Sequence, residues 1–181
     1  MAYKVLDDRQ RFSSTRLGQI CLAIASLSAL AVGGALAIEH IGGIAPCPLC
    51  LDQRMAYYVA VPLAFIAFVL LPDRVAWARA ILLVLAAAFA FNAGLGVYHA
   101  GIEWGWWPGP ETCSGAGAIA TSPGALLESL NHPRVVRCDA AALRILGLSL
   151  AGYSAMTSAL LAALAGWGAA AGRKLARSDR G

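Results

Sequence analysis

Four apolar runs, each about as long as a lipid bilayer is thick, leave this chain few ways to fold. They cover 17–38, 51–71, 75–98 and 143–171. A helix needs roughly 20 apolar residues to cross a hydrocarbon core of about 30 Å. Helices are also the open-ended structures that satisfy their own backbone hydrogen bonds in lipid. The expected fold class is therefore an all-α membrane protein, a four-transmembrane-helix bundle forming a single membrane domain over 1–181. Asp52, Gln53 and Arg54 interrupt the start of the second run, so residues 50–54 must form its first turns at the interface. Pro62 does not forbid that helix, because neighbouring helices in a membrane satisfy the carbonyl it frees.

Composition supports lipid as the solvent. The chain is 59% hydrophobic and 13% charged, about half the charge of a typical soluble domain, with a mean hydropathy of +0.66. The net charge of +4 sits in tails and short connections. No basic stripe is interleaved with aromatics, which argues against nucleic-acid binding. Lys4, Arg9, Arg11, Arg16, Arg74, Arg79, Arg173, Lys174, Arg177 and Arg180 fall on one side of the spans. Arg54, Arg134, Arg137 and Arg144 fall on the other. The positive-inside rule then predicts a multi-pass inner-membrane protein with both termini cytoplasmic. A short loop, 39–50, and a long loop, 99–142, face the periplasm.

A cleaved signal peptide competes for the first run, since Ala35-Leu36-Ala37 resembles a cleavage site. The apolar stretch before it, about 18 residues, exceeds the usual length, so a retained span is expected. Gly147, Ala151, Ala155, Ala159 and Ala163 recur every four residues and read as a seam of helix packing.

Five cysteines are present. Cys21 lies within the first span and reads as a small buried hydrophobe. Cys47 and Cys50 form a Cys-Pro-Leu-Cys motif in the first outward loop, and Cys113 and Cys138 lie in the second. Three chemistries fit these four. Inert disulfides suit an oxidising compartment and explain the wide pair better than the Cys-x-x-Cys. A zinc site of four thiolates normally pairs two short motifs. Redox chemistry suits the Cys-x-x-Cys, whose thiols are easily perturbed. Haem attachment would need histidine where Leu51 stands. Cys50 is expected at the start of a helix, where the macrodipole favours an anion. Arg54, four residues on, shares its helix face and is expected to lower its pKa, although an arginine here can also snorkel to headgroups.

Taken together, these residues resemble the DsbB family of disulfide bond formation proteins. The resemblance rests on four spans, on Cys47-Pro48-Leu49-Cys50 followed by Leu51-Asp52-Gln53-Arg54, on Tyr98-His99 through Trp107-Pro108-Gly109-Pro110 to Cys113, and on Cys138-Asp139 leading to Leu146-Gly147-Leu148-Ser149. It implies a quinone-dependent protein-dithiol oxidase. The relay of a DsbA thiol oxidase, DsbB and quinone is the established means of keeping a bacterial periplasm oxidising. By resemblance, Cys113–Cys138 is the disulfide offered to a periplasmic DsbA-like thioredoxin-fold partner. Cys138 then attacks Cys47 of a Cys47–Cys50 disulfide, and Cys50 leaves beside a membrane quinone, ubiquinone or menaquinone. Arg54 and His99 are the implied quinone neighbours, and no metal is implied.

Asn92 is expected to hydrogen-bond across helices, and Trp104, Trp106 and Trp107 to form an interfacial belt. Glu103 and Glu111 are expected to orient the loop without a catalytic role. Residues 124–130 are expected to form a short helix on the membrane surface. Two rivals stay in view: an outward reductant carrier, which would depend on Cys21, and a membrane scaffold with structural cysteines.

Overall fold

A computed structural model describes residues 8–110 and 137–178. Cys113, Glu111, Arg134 and the expected surface helix at 124–130 lie outside the described residues. Four helices account for most of the rest: α1 (Asp8–His40), α2 (Pro48–Leu70), α3 (Val75–Glu103) and α4 (Leu150–Ser178). Each contains a segment long and apolar enough to cross a membrane: Thr15–His40, Pro48–Leu70, Val75–Glu103 and Leu150–Arg173. α3 and α4 pack most extensively, and α1 also lies against α2 and α4, and α2 against α3. Leu30, Phe65, Phe91 and Met156 project outward from the four helices, as lipid-facing side chains do. Pro62 lies inside α2.

The core is built from Cys21 and Ile24 of α1, Tyr57 and Ala64 of α2, Leu82 and Phe89 of α3, and Leu161 and Ala165 of α4. Cys21 is fully buried there, as the packing reading requires. Polar glue joins three helices at Ser158. Tyr57 shares a hydrogen bond with its Oγ at 2.8 Å, and Asn92 Nδ2 donates to the same oxygen at 2.9 Å. Asn92 thus bridges helices as expected. α3 and α4 approach closely at Gly96, where a Cβ would lie 2.9 Å from the Ala155 backbone.

Two expectations need correction. The fourth helix begins at Leu150, not at residue 143. Residues 144–149 instead form a two-stranded hairpin, β1 (Arg144–Ile145) and β2 (Leu148–Ser149). Leu146 and Gly147 turn it with φ of 52° and 83°, positive at both central positions as a type I′ turn requires. The hydroxyl of Tyr153 holds this hairpin to α4 by donating to Ile145 O.

The four-residue seam also holds at only two of its five positions. Ala151 and Ala155 are buried, but Ala159 and Ala163 are exposed, and Gly147 lies exposed in the hairpin turn outside the helix. A helix turns 3.6 residues per revolution, so a strict spacing of four drifts off the contact face. The seam that packs instead mixes steps of three and four, through Ser158, Leu161, Ala165, Gly168 and Gly172.

Candidate redox centre

At one end of the bundle, two helix termini bring the chemistry together. α1 stops before Gly42 and Gly43, the latter at φ 66°, and the chain reaches Cys47, the N-cap of α2. Pro48 occupies the first helical turn, where its missing N–H costs nothing. Cys50 is therefore the third helical residue. Its orphan backbone N–H points back to Cys47 Sγ at 3.3 Å, the bond a serine or threonine N-cap would accept.

α3 delivers His99 and Glu103 to the same place. Beyond it, Trp107 folds back over Gly101. It stacks on Tyr98 with ring centroids 6.0 Å apart, and its Nε1 donates to Tyr98 O at 2.8 Å. A Cβ at Gly101 would lie 2.1 Å from that indole. Trp107 thus clamps the end of α3, and all three tryptophans, Trp104, Trp106 and Trp107, keep exposed surface as interfacial residues do.

Several donors converge on Cys47. The Cys47 and Cys50 sulfurs share a hydrogen bond at 2.9 Å, and both are free thiols. His99 Nε2 lies 3.6 Å from Cys47 Sγ. Gln53 Nε2, a donor, meets His99 Nδ1 at 2.9 Å, so Nδ1 accepts and the ring proton sits on Nε2, facing the sulfur. The Cys50 hydrogen bond lowers the Cys47 thiol from its ordinary 9.0 to about 5, against the upward push of burial, with His99 adding to the lowering.

The anion of this dithiol is therefore held on Cys47, not on Cys50 as the sequence suggested. Arg54 is engaged elsewhere: it pairs with Glu39 of α1 and donates to Ala35 O at 3.5 Å.

Cys138 completes the cluster. It is disulfide-bonded, almost fully buried, and packed with Cys47, Leu49 and Ile102. The sulfurs of Cys47 and Cys138 and a ring nitrogen of His99 all lie within 4.8 Å of one another. A sulfur held in a disulfide offers no thiolate to a metal, so this arrangement suits exchange between sulfurs.

Beside the cluster lies a cavity of about 300 Å³, mostly apolar, into which Cys50, Arg54, His99 and Glu103 project. Gln53, Glu39 and the burial of Glu103 were not found by sequence reasoning. Their only sequence signal is that each is a polar residue at the end of an apolar span.

Comparison with known proteins agrees with this chemistry. Residues 16–168 match the family described as disulfide bond formation protein DsbB. Disulfide bond formation protein B of Nitrosospira multiformis is 40% identical over 76 residues, 42% of this chain and 44% of that relative. Disulfide bond formation protein B 1 of Pseudomonas fluorescens (strain Pf0-1) is 35% identical over 91 residues, 50% of this chain and 48% of that protein. The Nitrosomonas europaea relative is 44% identical over 55 residues, 30% of this chain and 34% of its own length. The aligned stretches thus span between a third and a half of these curated relatives. No solved structure matches the chain.

Proposed function

The chain belongs to the disulfide bond formation protein B family, and from that premise we propose that it oxidises a periplasmic dithiol and passes the electrons to a membrane quinone. The partner is a DsbA-like thioredoxin-fold protein, and the acceptor is ubiquinone or menaquinone. The observation that carries this reading is the meeting of a disulfide sulfur, Cys138, with Cys47 inside 4.8 Å, next to Cys50.

In this reading Cys113–Cys138 is the disulfide offered to the partner. A partner thiolate attacks Cys113, and Cys138 leaves as a thiolate. Cys138 attacks Cys47 of the Cys47–Cys50 disulfide, and Cys50 leaves in turn. Once the partner is released as a disulfide, Cys113–Cys138 is restored and Cys47 and Cys50 remain as a dithiol. The described combination, Cys138 in a disulfide with Cys47 and Cys50 free, corresponds to that stage. By microscopic reversibility the same two sulfurs meet in both directions, which fits the proximity of Cys47 to Cys138.

A quinone, when bound, supplies a two-electron, two-proton acceptor. The cavity suits such a ring: its walls are mostly apolar, Cys50 lines it, and Glu103 Oε2 in its wall has no hydrogen-bond partner among the described residues. Arg54 and His99 are the side chains proposed to hold the ring oxygens. Arg54 would also support the Cys50 thiolate once Cys47 is engaged with Cys138. In this topology the four cysteines face the periplasm of an inner-membrane protein whose termini are cytoplasmic.

Anaerobic mixing of the purified chain, quinone and the reduced thioredoxin-fold partner tests the reading. Quinone absorbance should fall in step with partner oxidation. A Cys138→Ala variant should stop that loss and accumulate a disulfide between Cys113 and the partner. Undiminished quinone with the unaltered chain removes the proposed reaction, and a Cys138→Ala variant that traps no partner points to a scaffold.

A further inference from the structure

Glu103 is a buried carboxylate that the relay leaves unused. Its side chain is 5% exposed, and Oε1 lies 3.9 Å from His99 Nε2. Oε2 has no hydrogen-bond partner among the described residues. Both arginines that line the same cavity are matched to other carboxylates, Arg54 to Glu39 and Arg137 to Asp139. The remaining ionisable neighbours around the cavity among the described residues are His99 on α3, Tyr153 on α4, and Cys47, Cys50 and Tyr57 at and within α2. A buried carboxylate without a cation carries a heavy desolvation penalty.

His99 sets up a competition. Its single Nε2–H faces two acceptors, Cys47 Sγ at 3.6 Å and Glu103 Oε1 at 3.9 Å. When Cys47 becomes a thiolate, that N–H serves the sulfur, and Glu103 loses its nearest donor just as a second negative charge arrives beside it.

We propose that Glu103 is the proton store of the cysteine pair, protonated when the Cys47–Cys50 disulfide is reduced and deprotonated when it re-forms. The inference rests on the redox reading of Cys47 and Cys50. Reduction breaks the S–S bond with two electrons; one proton goes to Cys50 and one to Glu103, while Cys47 stays a thiolate. Reoxidation forms the S–S bond and sends two electrons to the quinone. It releases the protons of Cys50 and Glu103 into the cavity, matching the two consumed in making quinol. Glu103 acts here through His99, as a positioning and proton-holding residue.

The test is a redox titration of the full-length, quinone-free protein against dithiol buffers between pH 6 and 8, with the Cys47–Cys50 peptide read by thiol labelling. Each proton taken up per two electrons moves the midpoint by about 30 mV per tenfold change in proton activity. The unaltered chain should follow a two-proton slope, and Glu103→Gln should halve it, with Glu103→Asp restoring it. A one-proton slope in the unaltered chain, or no change in Glu103→Gln, overturns the inference and leaves the redox reading standing. A cysteine pair that does not titrate reversibly removes both. If Glu103→Gln does not fold, the unaltered chain still decides the matter. Its infrared difference spectrum should gain a protonated carboxyl stretch on reduction, and no such band overturns the proposal.

Discussion

Replacing Cys50 with alanine removes the donor that contributes most to holding the Cys47 thiol at about 5 rather than its ordinary 9.0. With a midpoint near 5, thiolate outnumbers thiol by about 100 to 1 at pH 7. A hydrogen bond to a charged group contributes about 1.5–3 kcal/mol, and one pH unit corresponds to about 1.4 kcal/mol. Cys50→Ala should therefore raise the Cys47 midpoint by about one to two units. The thiolate exists above the midpoint and disappears below it, so the variant should lose reactivity between about pH 5 and 7, where the unaltered chain keeps it. The backbone N–H of residue 50 and His99 remain in place, which is why the shift stops short of 9.0. Cys50→Ser keeps a donor and should stay closer to the unaltered chain. Arg54→Gln should leave the midpoint where it is, because Arg54 is bound to Glu39. The assay is the alkylation rate of Cys47 against pH in the fully reduced protein, resolved by peptide mass. A midpoint near 9 in the unaltered chain refutes the N-cap argument, as does a Cys50→Ala profile that does not move. A shift produced by Arg54→Gln would return the anion to Cys50.

Gly96→Ala should destabilise the bundle by about 1–3 kcal/mol through overpacking, because the new Cβ would meet Ala155 backbone at 2.9 Å. Unfolding in denaturant followed by circular dichroism reads it, and an unchanged midpoint refutes that contact. Ser158→Ala removes the oxygen shared by Tyr57 and Asn92 and should cost about 1 kcal/mol, a typical polar contact between membrane helices. An Asn92→Ala,Ser158→Ala double variant that loses the sum of the two single effects would show the pair to be uncoupled.

Much of the fold could be read in the sequence because lipid imposes a length rule that tolerates few alternatives. Runs two and three locate α2 and α3, since the short connection at 71–74 leaves little room to slide, but α2 begins three residues before its run and α3 continues five residues beyond its own. The fourth run was harder. Residues 143–149 are nearly as apolar as the helix that follows, and hydropathy does not separate Ile145 or Leu146 from Leu150. The distinguishing signal was Gly147, which permits a positive φ, but its leucine neighbour gave no such hint. Periodicity failed at Ala159 and Ala163 for the geometric reason given above. A regular stripe of small residues identifies a helix able to pack closely, and only its partner helices decide which part of the stripe is used.

The site was legible by residue type and misread by position. The cysteine pattern left three chemistries open and the family resemblance singled out one for Cys47, Cys50 and Cys138, which the fold does bring together. The placement of charge turned on where α2 begins. Proline at the first helical position moves the N-cap to Cys47, and a helix start stabilises an anion at the N-cap, whose side chain receives the third residue's N–H. Cys50 is that third residue, so it donates where it had been expected to receive. Pro48 was the sequence signal for this. Glu39, Gln53 and Glu103 carried none of comparable weight, because what matters about each is its partner on another element. Glu39 pairs with Arg54, Gln53 fixes the tautomer of His99, and Glu103 competes for the ring proton that results. The same few polar groups therefore couple sulfur ionisation to proton binding, and charge added at Cys47 must be answered within one helical turn of His99.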